Sequence, residues 1–173
     1  LKYQEFVRVR MGYVDGRLIA TPLNRGSGVV SSFMKADGIL TIPQGLEGYE
    51  AGSEVTVRLL RPHEELKNTL VAIGSHDPLL DEVADLLHRK NTSYYMASAH
   101  TGSMGGILAV RRRETHVAGI HLLNEKDGTY NESFVRKYFP GGGVRLVECV
   151  GRTQGLMVAK GNPKGITGME SLT

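Results

Sequence analysis

Cysteine is nearly absent from the chain. Cys149 is the single one among 173 residues, so no disulfide can form within the chain and an oxidising compartment is not required. Its place in the apolar run 147–150 predicts a small buried hydrophobe rather than a nucleophile. Long apolar runs are also missing: none approaches the roughly 20 residues of a membrane-spanning helix, so no membrane partner is expected. There is no basic-then-apolar leader. The chain starts at Leu1 and stops at Thr173, and both are expected to be cut ends. An excess of charge is lacking as well. Net charge is +3, with eight basic and six acidic residues in 1–62 and thirteen and twelve in 63–173. The one dense basic cluster, Arg111, Arg112 and Arg113, has no interleaved aromatics. That disfavours nucleic acid and suits a solvated helix end. Hydrolase and phosphate-loop motifs do not occur either. There is no GxSxG, and GSMGG (102–106) lacks the lysine of a Walker loop. Carboxylates are scattered, and neither a helical HxxxH nor a CxxC is present, so no catalytic residue and no metal ligand is assigned.

The pattern along the chain divides near residue 62. Residues 5–10 and 54–59 alternate polar and apolar, as half-buried strands do. Asp15-Gly16 is a hairpin signal, and Asp37-Gly38 repeats it between strands expected at 29–34 and 39–42. Several short strands with turns at this spacing predict a small β-barrel or sandwich over residues 1–62, and the barrel is the expected form. Beyond it, strand and helix alternate: strand 70–73, then a stripe of Leu79, Leu80, Val83, Leu86 and Leu87 with Asp77 as cap and Pro78 in the first turn. A strand over 94–99 leads to a helix over about 104–112. A third strand at 116–120, a helix over 132–138 and strands at 144–150 and 155–159 complete the pattern. Such alternation predicts an α/β lobe with a mainly parallel sheet over residues 63–173.

In an open α/β sheet, ligands bind beyond the carboxyl ends of the strands. Those ends carry Ser75 and His76, then His100, Thr101 and Ser103, then His121. Two of them open into helix N-termini, where free amides favour an anion. Gly105 and Gly106 allow close backbone approach. Ser75 and Ser103 could equally be helix caps, and Asp77 is a cap before it is a ligand. The three histidines could converge on one crevice, to donate to an oxyanion or to ligate a transition metal. The spacing is not that of a metal motif, which favours oxyanion donation.

Three blocks in order, RGSGVVSS (25–32), ADGILTIP (36–43) and EGYEAGSEVTV (47–57), make the first part resemble the C-terminal domain of MoeA-type molybdopterin molybdenumtransferases. The resemblance implies a parent enzyme, cytoplasmic, that inserts molybdate into adenylylated molybdopterin with magnesium, as a homodimer in which this domain lies over the partner's active-site cleft. It implies Ser27, Gly28, Ser31 and Ser32 as substrate-cleft contacts, or else a tight structural turn. The main catalytic domain would lie before Leu1, so the chain itself is expected to hold no cofactor. GSHD (74–77), HTGSMGG (100–106), VAGIHLL (117–123) with Tyr130 and Asn131, and QGLMVAKGNPKGI (154–166) make the second part resemble the periplasmic-binding-protein-like domains fused to such enzymes. That likeness implies Ser75 and Ser103 as oxyanion contacts for molybdate or tungstate, and a second lobe that would follow Thr173. A half-cleft is expected to bind weakly. Two rival roles for this part are a regulatory effector module, like those of LysR-type regulators, for a pterin or other anion, and a domain that only mediates oligomerisation.

Overall fold

β1 (Glu5–Val14) and β2 (Arg17–Pro22) join through Asp15 and Gly16, which both take positive φ (49° and 74°). Those angles suit the two central positions of a hairpin turn whose twist matches the strands. Val14 pairs with Arg17 and the ladder runs on to Val9 and Pro22. This is the computed structural model of the chain, and it describes residues 2–23, 36–151 and 155–172.

β3 (Gly38–Ile42) lies antiparallel on the other side of β1, and β4 (Val57–Leu59) flanks β3, giving the order β2-β1-β3-β4. Among the described residues this is an open antiparallel sheet, without a ladder that would close it into the expected barrel. The strand expected at 29–34 lies outside the described residues. Alternate residues of β1, namely Val7, Val9 and Met11, form a core with Ile42 and Leu66, as a period of two requires for a sheet buried on one face.

Asp37 is a correction to the expected hairpin. It is not at an exposed turn but is 1% exposed and meets two arginines. Its carboxylate accepts from Arg61 Nη1 and Met11 N, both at 2.7 Å, and Arg10 Nε lies 3.3 Å away as an ion pair. Arg10 also donates to the Met96 carbonyl, and Arg61 lies 4.0 Å over the Tyr95 ring. Burial holds the Arg10 guanidinium below the ordinary arginine range, Asp37 draws it back up, and the Arg61 charge lowers it further.

α1 (His63–Leu66) leads into β5 (Thr69–Gly74), then α2 (Leu79–Lys90), β6 (Tyr95–His100), α3 (Gly102–Arg111) and α4 (Glu132–Tyr138). β5 and β6 are parallel from Thr69↔Tyr95 to Gly74↔His100, as a βαβ unit demands. The expected third strand is a single parallel bridge, Ala72↔Val117. It is nonetheless held along β5 by Ile73 N→Val117 O (3.2 Å) and Ser75 N→Gly119 O (2.8 Å). Asp77 Oδ1 accepts from Leu79 N at 2.9 Å, so Asp77 caps α2. Leu86, expected in the buried stripe of α2, is 61% exposed.

A second core joins Val14 of β1, with Ile19 against it, to Val71, Ile73, Ala99 and Ala109. The hairpin also reaches the end of α3, where Arg17 Nη2 donates to the carbonyls of Arg112 and Arg113 at 2.8 and 2.9 Å. A cation there complements the negative end of the helix.

Two expectations fail toward the C-terminus. Residues 144–150 and 155–159 form no strand, and all of them are exposed, with Met157 fully so. A strand exists only where a neighbour takes its hydrogen bonds, and no ladder reaches these residues. Cys149 is accordingly exposed rather than buried. No helix among the described residues is long and apolar enough to cross a membrane.

Candidate functional site

The carboxyl ends of β5 and β6 lie side by side, because Gly74 pairs with His100 and Thr101 N donates to Gly74 O at 2.9 Å. This parallel register sets the two strand-to-helix turns next to each other. The third segment passes close by for a steric reason. A Cβ on Gly74 would lie 2.5 Å from Gly119 O, and one on Gly119 would lie 2.6 Å from Ser75 O. Neither position has room for a side chain. α3 is pressed onto β5 in the same way: a Cβ on Gly106 would be 2.8 Å from Ile73 O and 2.9 Å from the Gly74 Cα. Gly105 faces only the Thr101 side chain.

On this frame Ser75 Oγ and Ser103 Oγ stand 2.8 Å apart. Ser103 sits in the first turn of α3 and is 8% exposed. Its hydroxyl accepts from His121 N at 3.0 Å and lies 3.2 Å from His121 Nδ1. Ser75, Ser103 and His121 thus form one chain of contacts. His76 and His100 form a second group, their ring centroids 4.0 Å apart and tilted by 37°, with Ser98 Oγ 3.2 Å from His100 Nε2. Thr101 precedes α3 and makes no side-chain cap. His76, His100, Thr101 and His121 are exposed, and Ser75 is half-buried. Ser27, Gly28, Ser31 and Ser32 lie outside the described residues.

Three positions that the sequence reading left without a role hold the site's shape. Gly119 allows the close passage described above. Thr115 is buried, and its hydroxyl donates toward Val71 O (2.9 Å) and accepts from Ile73 N (3.0 Å), which ties the third segment to β5. Asn131 exchanges two bonds with Leu122, N→O and Oδ1 from N, both 2.8 Å, and its φ is +66°. It anchors the loop that begins at His121. Turn-forming asparagine at a helix start is the one signal that marked it.

Chemically, the two hydroxyls and the first-turn amides of α3, which a helix leaves without partners of its own, are neutral donors. Among the described residues no group of three or more His, Cys, Asp or Glu side chains is arranged to hold a metal ion.

A two-stranded parallel sheet lies beside a four-stranded antiparallel one, and two family models match different stretches of the chain. The chain matches the PBP superfamily domain over residues 84–173, just over half of its length, and belongs to that family. Residues 2–60 match the MoeA C-terminal region (domain IV), so this stretch is of the MoeA C-terminal type. Among curated proteins it is 32% identical over 73 residues to the Bacillus subtilis protein YvgK, 42% of this chain and 24% of that protein. It is 44% identical over 57 residues to a Methanocaldococcus jannaschii protein named for molybdopterin biosynthesis, 33% of this chain and 13% of that one. It is 37% identical over 60 residues to a Bacillus subtilis molybdopterin molybdenumtransferase, 34% of this chain and 14% of that one. The matched stretches thus span a quarter or less of these relatives. No solved structure matches the chain.

Proposed function

We propose that the chain is part of a cytoplasmic molybdenum-cofactor biosynthesis protein, and that its α/β part binds a tetrahedral oxyanion such as molybdate or tungstate. The observation that carries the oxyanion reading is the 2.8 Å approach of Ser75 and Ser103 at adjacent strand-to-helix turns. Hydroxyls and helix-start amides suit an oxyanion because they donate without adding charge. The cofactor-biosynthesis reading is supported by the match of residues 2–60 to the MoeA C-terminal region and by two relatives that bear names of that pathway. In the same proposal, residues 1–62 form a domain that closes into a small barrel in the complete protein and assists molybdate insertion into adenylylated molybdopterin, with magnesium, in a homodimer. Ser27, Gly28, Ser31 and Ser32 are its candidate contacts to the substrate cleft, and residues 63–173 are the binding domain.

The test is a thermal-shift series on the full-length protein with molybdate, tungstate, sulfate, phosphate and a pterin. A shift with molybdate and tungstate is expected, corresponding to about 2.7 kcal/mol at a hundredfold excess over the dissociation constant. A shift with the pterin alone would replace the oxyanion reading with an effector-module one. Salt gives a second check. Neutral donors lack the long-range charge that ions screen, so the molybdate affinity is expected to change less than about threefold between 50 and 200 mM salt, over which the Debye length falls by about half. A steep fall in calorimetric affinity would mean arginine or lysine ligation instead.

A further inference from the structure

The contacts of Ser103 Oγ exceed what one hydroxyl can satisfy in a single way. A serine hydroxyl has one hydrogen and two acceptor lone pairs. One lone pair takes the His121 backbone N–H at 3.0 Å. Two neighbours remain, Ser75 Oγ at 2.8 Å and His121 Nδ1 at 3.2 Å, with one hydrogen and one lone pair left for them. Ser103 must therefore donate to one neighbour and accept from the other. Only two arrangements exist. In the first, Ser75 donates to Ser103 and Ser103 donates to a bare His121 Nδ1. In the second, His121 Nδ1–H donates to Ser103, Ser103 donates to Ser75, and the Ser75 hydrogen is freed to point elsewhere.

These arrangements differ in what they offer a ligand. The first shows an incoming anion only the lone pairs of Ser75, which repel it. The second shows it a hydroxyl hydrogen. We propose that His121 is a positioning residue that sets the direction of this hydroxyl chain, so that anion binding at Ser75 is coupled to a proton on His121 Nδ1. The inference rests on the reading that Ser75 contacts an oxyanion. On binding, no serine O–H bond breaks. The Ser75 hydroxyl rotates from Ser103 to the anion and the Ser103 hydroxyl rotates from His121 to Ser75. His121 places a proton on Nδ1, either by moving the one on Nε2 through solvent or by taking one up from solvent. The ring is exposed, so solvent can carry that proton. An imidazolium carries hydrogens on both nitrogens and is compatible with the second arrangement alone.

The experiment is nitrogen NMR on the protein labelled at its histidines, with molybdate as probe. Added molybdate is expected to convert His121 Nδ1 from an acceptor to a protonated nitrogen. Ser75→Ala is expected to abolish that conversion. Without molybdate it should also lower the population protonated at Nδ1, because the Ser103 hydrogen then has only His121 left to bond. His121→Ala leaves the Ser103 hydrogen only Ser75 to bond, the direction that frees the Ser75 hydrogen, so its molybdate affinity is expected to be no weaker than that of the wild type, whereas Ser75→Ala is expected to weaken binding at least tenfold. The rest of each spectrum reports whether the variant is folded. A His121 Nδ1 state that is the same with and without molybdate, in a protein that binds it, overturns the proposal. If the wild-type protein binds no molybdate, the oxyanion reading fails by itself. The coupling is then decided by the ligand-free comparison of wild type with Ser75→Ala: a drop in Nδ1 protonation supports it and an unchanged population overturns it.

Discussion

Replacing Asp37 with alanine is expected to lower the free energy of unfolding by about 3–5 kcal/mol, the range for breaking a buried ion pair from one side. The carboxylate is 1% exposed and serves two cations and an amide: Arg61 and Met11 N at 2.7 Å and Arg10 at 3.3 Å. Arg10 is already disfavoured in its charged form by burial, and Asp37 supplies the opposing attraction. Without it, two guanidiniums face each other, with Glu65, 3.0 Å from Arg61, as a nearby counter-charge among the described residues. A buried charge left without its partner costs far more than a lost surface pair. Asp37→Asn keeps the shape and an acceptor for Met11 N, so its loss should be smaller but still above 1 kcal/mol. Urea unfolding of the three proteins is the measurement. A change below about 1 kcal/mol for the alanine variant would mean that the cluster is solvated and contributes little.

Gly106→Ala is expected to destabilise the chain by about 1–3 kcal/mol, the range for overpacking a filled core, and to disorder the candidate site. The new methyl would sit 2.8 Å from Ile73 O, 2.9 Å from the Gly74 Cα and 3.0 Å from the Ala118 Cβ. Two of these three are backbone, which cannot swing aside as a side-chain tip can. α3 has to lift off β5, and Ser103 in its first turn lifts with it, away from Ser75 and His121. Faster amide exchange at residues 103–106 and 119–121 than in the wild type, with the β1–β2 hairpin unchanged, is the expected signature. Unaltered exchange at these residues would mean that the helix seat is looser than the distances say.

How far the fold could be read in advance depended on whether the deciding contacts were local. Asp15-Gly16 was legible because a two-residue turn is set by its own φ angles. Asp37-Gly38 carries the same letters but a different meaning. Its partners, Arg10 and Arg61, lie 27 and 24 residues away in the chain, so nothing local separates a buried carboxylate from a turn residue. Helices were recoverable from caps and periodicity, as Asp77 before α2 illustrates. The strands expected at 144–150 and 155–159 were not, since alternation records a capacity to pair and not a partner. Part of the site was legible for a topological reason: Ser75 and Ser103 follow successive parallel strands, and parallel pairing puts the two turns side by side. The link from Ser103 to His121 was not, because it depends on the third segment passing within reach of Ser75, which Gly74 and Gly119 permit by what they lack.

Anomalous diffraction at the molybdenum edge, from crystals of the protein grown with molybdate, tests the oxyanion reading at its source. The account predicts one dominant peak, with oxygens within hydrogen-bond distance of Ser75 Oγ and of the first amides of α3. A molybdenum peak elsewhere, or none at concentrations that saturate binding in solution, would contradict it.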